Sequence, residues 1–270
     1  MKNKIPLAVL ALLGTSAAQA APLYSTSFDT SEYTAGASVA GRDGWFLGSS
    51  SDPATQTVAS GVGRDGTQGL RIANAASTGY YSVSHALPGA VQGFDPFTVS
   101  VDLYMDETTA ASRMYELALL SSPTGGMATS SVLLGMSIGG DGKIRASSSW
   151  ATLYGTNTQR VTAAAGTFKS RWLNLTLKVD ENRTGVATIR GLGDGSTFYT
   201  YTIPAIGYDS TTQSYKSILT ANLVAENTGA FGGVGVGTFD NFNVTAVPEP
   251  ATLAALGLGA AALLRRRRKV

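Results

Sequence analysis

The chain contains no cysteine and a single histidine, His85, and only 14% of its 270 residues are charged. Without cysteine there is no disulfide scaffold, thiolate metal site, cysteine nucleophile or lipid-modified N-terminal cysteine. One histidine excludes a multi-histidine metal centre. Glycine and proline together make 41 residues, too few for collagen or a simple low-complexity chain. The glycine-rich stretch Gly229 to Gly237 lacks the Lys-Ser/Thr ending and helical setting of a phosphate loop, and reads as bulges and turns. What is present is 43% hydrophobic residues, enough for a sizeable core in one or two domains.

The two ends read as addresses. Lys2 and Lys4 precede an apolar stretch from Ile5 to Leu13, and Ala18-Gln19-Ala20 forms an A-x-A cleavage site. The stretch is too short to span a bilayer, which takes about 20 apolar residues. Residues 1–20 are therefore expected to be a signal peptide, cut after Ala20 by signal peptidase following passage through the secretion translocon. An exported chain without cysteine must hold its fold by packing.

At the other end, Val247-Pro248-Glu249-Pro250 is followed by Ala251 to Leu264, which carry no charge, and then by Arg265, Arg266, Arg267, Arg268 and Lys269. The prolines break any preceding element. The apolar run predicts a short hydrophobic helix of about 21 Å at 1.5 Å per residue, against a roughly 30 Å hydrocarbon core. Its basic end would stay cytoplasmic. Such a helix engages the membrane transiently better than it anchors permanently, although an ordinary tail anchor shares both features.

The Pro-Glu-Pro motif, the apolar run and the arginine cluster, in that order over residues 247–270, resemble a PEP-CTERM sorting signal. The resemblance implies recognition by an exosortase, a membrane transpeptidase-like protease, through Pro248, Glu249 and Pro250 and the basic Arg265 to Arg268. It further implies a Gram-negative host that makes exopolysaccharide, often in biofilm, with delivery to the cell surface or the medium. Setting aside seven basic residues and one acidic residue in the two ends leaves 13 basic and 17 acidic residues over 21–246, a net charge of −4. An acidic domain disfavours nucleic acid as a partner.

Residues 21–246 predict one all-β domain of about a dozen strands. Phe97 to Met105 and Leu173 to Asp180 alternate apolar and polar residues, as half-buried strands do. Val186 to Arg190 follows as the second arm of a hairpin. Val132 to Ile138 turns at Gly139-Gly140-Asp141-Gly142 into Lys143 to Ala146, and the Asp-Gly pair suggests a type I′ turn. Further strands are expected at 24–28, 69–74, 80–86, 114–120, 197–203, 217–225 and 234–246, with a helical turn near 107–113. Ser27-Phe28-Asp29-Thr30, Gly41-Arg42-Asp43-Gly44-Trp45, Arg171-Trp172-Leu173-Asn174-Leu175 and Gly237-Thr238-Phe239-Asp240-Asn241-Phe242 together resemble the concanavalin A-like, laminin-G-type jelly-roll superfamily. That resemblance implies a jelly-roll β-sandwich in which the Phe28 and Phe239/Phe242 segments pair and close the fold.

A glycoside hydrolase would need two carboxylates on one face. Glu116 is the only glutamate inside an expected mid-chain strand, and it reads as an outward-facing residue. A lyase would need a base; His85 shares a strand face with Tyr81 and Val83 by parity. Neither makes a constellation. Trp150, after three serines, and nearby Tyr154 are the candidate glycan-binding residues, while Trp45 and Trp172 read as core. The jelly-roll resemblance also implies a structural calcium near the paired terminal strands, with Asp29 and Asp240 as its ligands; capping of turns is the alternative. The reading is an exported, non-enzymatic structural or adhesive protein. Binding of extracellular polysaccharide is the second reading, and a glycan lyase or hydrolase the third.

Overall fold

The computed structural model describes residues 22–29, 32–48, 55–74, 79–92, 95–106, 114–124, 132–148, 159–227 and 235–247. The chain is an all-β sandwich of two antiparallel sheets. One sheet runs β13 (Thr197–Ile203), β12 (Gly185–Gly191), β11 (Trp172–Val179), β6 (Phe97–Asp106), β17 (Gly235–Ala246), β4 (Gly69–Asn74) and β3 (Gln56–Ala59). The other runs β10 (Gln159–Thr162), β9 (Lys143–Ser147), β8 (Val132–Gly139), β7 (Met114–Leu120), β16 (Thr220–Asn227), β5 (Gly79–Ala86) and β2 (Trp45–Leu47). A small ribbon, β14 (Tyr208–Asp209) with β15 (Ser214–Tyr215), stands apart.

The first strand, β1 (Pro22–Thr26), pairs with the C-terminal half of β17, with Thr26 opposite Phe242 and Tyr24 opposite Val244. The terminal segments thus lie side by side, as the jelly-roll resemblance implies. On the same edge of β17, β4 pairs with the N-terminal half, Leu70 opposite Phe239. The two short strands therefore meet end to end beside Asp240 and Asn241. There β17 carries one extra residue against β6: Asp240 faces Asp102, but Asn243 faces Ser100. Asn241 supplies the bulge with φ of 49°, a conformation that asparagine tolerates better than most residues.

Alternation decides the core. Val99, Val101 and Leu103 of β6 and Leu173, Leu175 and Leu177 of β11 point inward and are fully buried. Across the sandwich they meet Leu117 and Leu119, Leu134, Met136 and Ile138, and Leu223. At one end an aromatic box closes the core. Trp45, 1% exposed, donates its indole N–H to the Tyr24 hydroxyl at 3.1 Å, and that hydroxyl donates to Asp43 at 2.8 Å. His85 stacks on Tyr24 at 3.9 Å between ring centroids and lies edge-on to Trp45.

The strands read from the sequence are present with shifts of a few residues, and β4, β7 and β13 have the expected bounds. The sequence suggests about a dozen strands, whereas 17 occur among the described residues. The added ones, β2, β3, β10, β14 and β15, have two to four residues each, too few for a period to register. The β8–β9 turn also differs from expectation. Only Gly142 has positive φ, +82°, so the Asp-Gly pair makes a turn ending in one left-handed residue rather than a type I′ turn. A Cβ there would run into the Ala163 carbonyl oxygen, so glycine is required. Among the described residues no helix is long and apolar enough to cross a membrane; the apolar run 251–264 and the helical turn expected near 107–113 lie outside them.

Candidate functional site

The outer face of the sheet built on β6 and β11 carries an open groove. Because Leu103 and Leu173 point inward, Tyr104 and Trp172 must point outward, and the β6–β11 register sets them opposite one another. Thr238 of β17 and Arg71 of β4 continue the same transverse row. The Tyr104 and Trp172 rings are half-buried, with centroids 5.5 Å apart and planes tilted by 47°. Two hollows of about 450 and 540 Å³ adjoin here, sharing Asp65 and Trp172 in their walls. The turn Gly61 to Gly66 forms one wall and Gly191 to Asp194 the other. Row spacing of about 4.8 Å makes the floor from Arg71 to Trp172 roughly 14 Å wide.

The first wall is pinned by buried charge. The Arg64 main-chain N–H donates to Asp240 at 2.7 Å, and its guanidinium meets Asp102 at 3.1 Å. Asp102 also accepts from Asn174 at 2.8 Å and from Asn241 at 3.0 Å. Asp240 accepts a second main-chain N–H, that of Asn241, at 2.7 Å. Burial pushes the Asp240 carboxyl up to about 6; the two N–H donors oppose this, and the Asp102 and Asp29 carboxylates add to it. Glycosidases use a raised carboxyl beside a second carboxylate. Here, however, the two are only 1% and 3% exposed, and Asp240 spends both oxygens on main-chain N–H groups. The pair holds a wall in place and does not face a substrate.

The second wall is looser. Asp194 accepts from the main chain and hydroxyl of Ser196, which hold its carboxyl below the usual range. Arg171 lies 4.0 Å from Asp194 and over the Phe198 ring at 5.3 Å. Arg71 is exposed at the far end of the floor.

The residues singled out from the sequence are dispersed. Trp150, Tyr154, Ala18, Ala20, Pro248, Glu249, Pro250 and Arg265 to Arg268 lie outside the described residues. Asp29 faces a polar cleft of about 390 Å³ with Glu32, Asn241 and Asn243, where it accepts the Ser27 hydroxyl at 2.6 Å. Asp240 does not line that cleft. Asp29 and Asp240 thus do not open into one site, and among the described residues no three His, Asp or Glu side chains group around one point. Calcium therefore does not fit this pair as arranged.

His85 faces inward with Tyr81 and Val83, as parity requires, but it is 5% exposed inside the aromatic box. Burial lowers its pKa, and its Nε2 lies 2.9 Å from the Asp43 carbonyl oxygen, so it is not placed to meet a substrate. Glu116 does not face solvent: it points away from the core with Ala118 and Leu120, yet is fully buried, as are Ser137 and Asn222 on that face. Of the two tryptophans read as core, Trp45 is, whereas Trp172 floors the groove. Trp172 directly follows Arg171 at a strand start, and strand parity from Leu173 already placed it outward.

Residues 246–269 match the PEP-CTERM protein-sorting motif. The motif marks an exported protein processed at the membrane by an exosortase. No match to a curated protein sequence was found. Among solved structures, the chain is similar to the CBM2 module of the evolved Dit of Lactobacillus casei BL23 phage J-1, with TM-score 0.54 and 10% identity over 84% of this chain and 97% of that one. A carbohydrate esterase of a Shiga toxin-encoding bacteriophage gives TM-score 0.54 and 14% identity over 85% of this chain and all of that one. The exoplasmic/lumenal domain of VIP36, in its Ca2+/Man3GlcNAc-bound form, gives TM-score 0.50 and 10% identity over 68% of this chain and 80% of that one. At these identities the likeness establishes a lectin-like jelly-roll sandwich, and nothing finer.

Proposed function

We propose that this chain is an exosortase-sorted protein whose sandwich, residues 21–246, binds extracellular polysaccharide without catalysis. It is displayed on, or released from, the surface of a Gram-negative cell, and any adhesive role follows from glycan binding. The observation that carries the reading is the Trp172–Tyr104 floor at the junction of two hollows walled by Arg71, Asp65 and Asp194. Aromatic faces stack on sugar rings, while charged and amide groups fix hydroxyls at the rim. A groove open along the sheet suits a polymer better than a small molecule. Folds that bind or process carbohydrate recur among the structures it is similar to, which supports glycan binding over a purely structural role. Neither His85 nor Glu116 reaches solvent, which favours binding over cleavage.

The test is retention of the exported protein on the polysaccharide of its host, measured by isothermal titration and by pull-down. Trp172→Ala is expected to weaken binding about five- to thirtyfold while leaving the fold intact, since an aromatic ring stacked on a sugar is worth about 1–2 kcal/mol. Equal binding by the variant would refute the groove. Release of reducing ends or unsaturated sugars would refute the non-catalytic reading. Intact-mass measurement of the same material should lack residues 1–20 and everything past about Pro250. A membrane-bound form that retains the arginine cluster would refute the sorting step.

A further inference from the structure

The free edge of the groove-bearing sheet is built to pair with itself. Asp180 N–H donates to the Thr184 carbonyl at 3.0 Å, so the hydrogen-bonded pairs of β11 and β12 fall at Thr184, Val186, Thr188 and Arg190. The alternate residues Gly185, Ala187 and Ile189 bond β13, opposite Ile203, Tyr201 and Tyr199. The main-chain groups of Thr200 and Thr202 must then point away from the sheet. Among the described residues nothing meets them.

Three of the other sheet edges are protected, and the fourth, β1, is five residues that start with Pro22 and carry a register irregularity. Residues 36–39 bond along β3, through Gly36 N–H to Val58 O, Val58 N–H to Ala37 O and Val39 N–H to Gln56 O. β2 has three residues, and both main-chain groups of Trp45 are taken up by Gly41 and Arg42. β10 has four residues and carries Arg160. By contrast β13 is Thr-Phe-Tyr-Thr-Tyr-Thr-Ile, seven residues with no charge, proline or glycine. Its register irregularity lies at the start, opposite Ile189/Arg190, and leaves Tyr199 to Ile203 regular. Soluble proteins commonly guard such an edge with lysine, proline or a covering loop.

We infer that β13 pairs antiparallel with β13 of a second copy, about a two-fold axis through Tyr201. In that register Thr200 faces Thr202 of the second copy and exchanges both main-chain hydrogen bonds with it, and Tyr199 faces Ile203. The segment is self-complementary because it brings no like charges together and places β-branched and aromatic residues opposite one another. A partner of different sequence would have no such symmetric match. The two-fold axis stands perpendicular to the sheet, so the two outer faces look the same way. The pair would present two Trp172 grooves on one continuous surface and gain avidity for a polymer that spans both. That last step rests on the polysaccharide reading; the dimer does not.

The test is sedimentation equilibrium of the exported protein over a concentration series, with no glycan present. A reversible monomer–dimer equilibrium is expected. Thr200→Lys with Thr202→Lys should weaken it about tenfold or more, as should Thr200→Glu with Thr202→Glu, because like charges then face across the axis. Both threonine side chains are exposed, so unchanged thermal melting should verify the fold of each variant. Mixing the two variants should restore a heterodimer. A wild type that stays monomeric at its highest soluble concentration overturns the inference. So does a dimer indifferent to the lysines, which would use another surface, or folded variants whose mixture fails to associate. A wild-type dimer that fails to bind the polymer would refute the groove reading alone.

Discussion

Replacing Asp240 by asparagine tests the buried charge that holds the groove wall. The carboxyl sits at about 6 in the fold against an ordinary 3.8, chiefly because burial disfavours its charged form. A raised carboxyl binds its proton more tightly in the folded state than in the unfolded one. Above pH 6 the ionised group therefore costs stability, and the cost fades as pH falls toward 4. A shift of about two units corresponds to roughly 3 kcal/mol at 1.36 kcal/mol per unit. Asparagine does not titrate, and its amide presents an N–H₂ where the carboxylate accepted one of the two main-chain N–H groups. That mismatch adds an offset independent of pH. Hence the stability of wild type minus that of Asp240→Asn should rise by about 2–2.5 kcal/mol between pH 7 and pH 4, where the unfolded carboxyl is still partly ionised. Urea unfolding at closely spaced pH values measures the difference directly. A flat difference would show that the carboxyl is not raised. A slope of opposite sign would show that the field of Arg64 outweighs burial, and the account of the wall would be wrong.

The two tryptophans make a matched pair for further tests. Trp45→Ala should cost about 3–5 kcal/mol in chemical denaturation, since it empties the aromatic box, whereas Trp172→Ala should cost about 1 kcal/mol. Gly142→Ala should cost at least about 2 kcal/mol, from strain at positive φ and the collision with the Ala163 carbonyl. Treatment with EGTA should leave the melting temperature unchanged, because Asp240 is buried outside the cleft that Asp29 faces. A fall of several degrees, reversed by added Ca2+, would refute that.

The long strands were legible because each buries one face, which writes period two into Phe97–Met105 and Leu173–Asp180. Short strands such as β2 and β3 carry too few residues for a period and owe their pairing to neighbours distant in sequence. The site was harder to read for a related reason. Parity put Trp172 on the face opposite Leu173, and that signal was in the sequence. What lay beyond it was the β6–β11 register that brings Tyr104 beside it, the bulge at Asn241 and the reach of Arg64 to Asp102. The long-range hydrogen bonds that fix this wall join positions 38 to 176 residues apart. His85 shows the converse. Parity grouped it correctly with Tyr81 and Val83, but a strand read alone does not say which of its faces is the core. Tyr24, Asp43 and Trp45 settle that by surrounding the ring. Among the described residues the chemistry therefore resides in those that alternate away from the core, and the core residues fix only where those stand.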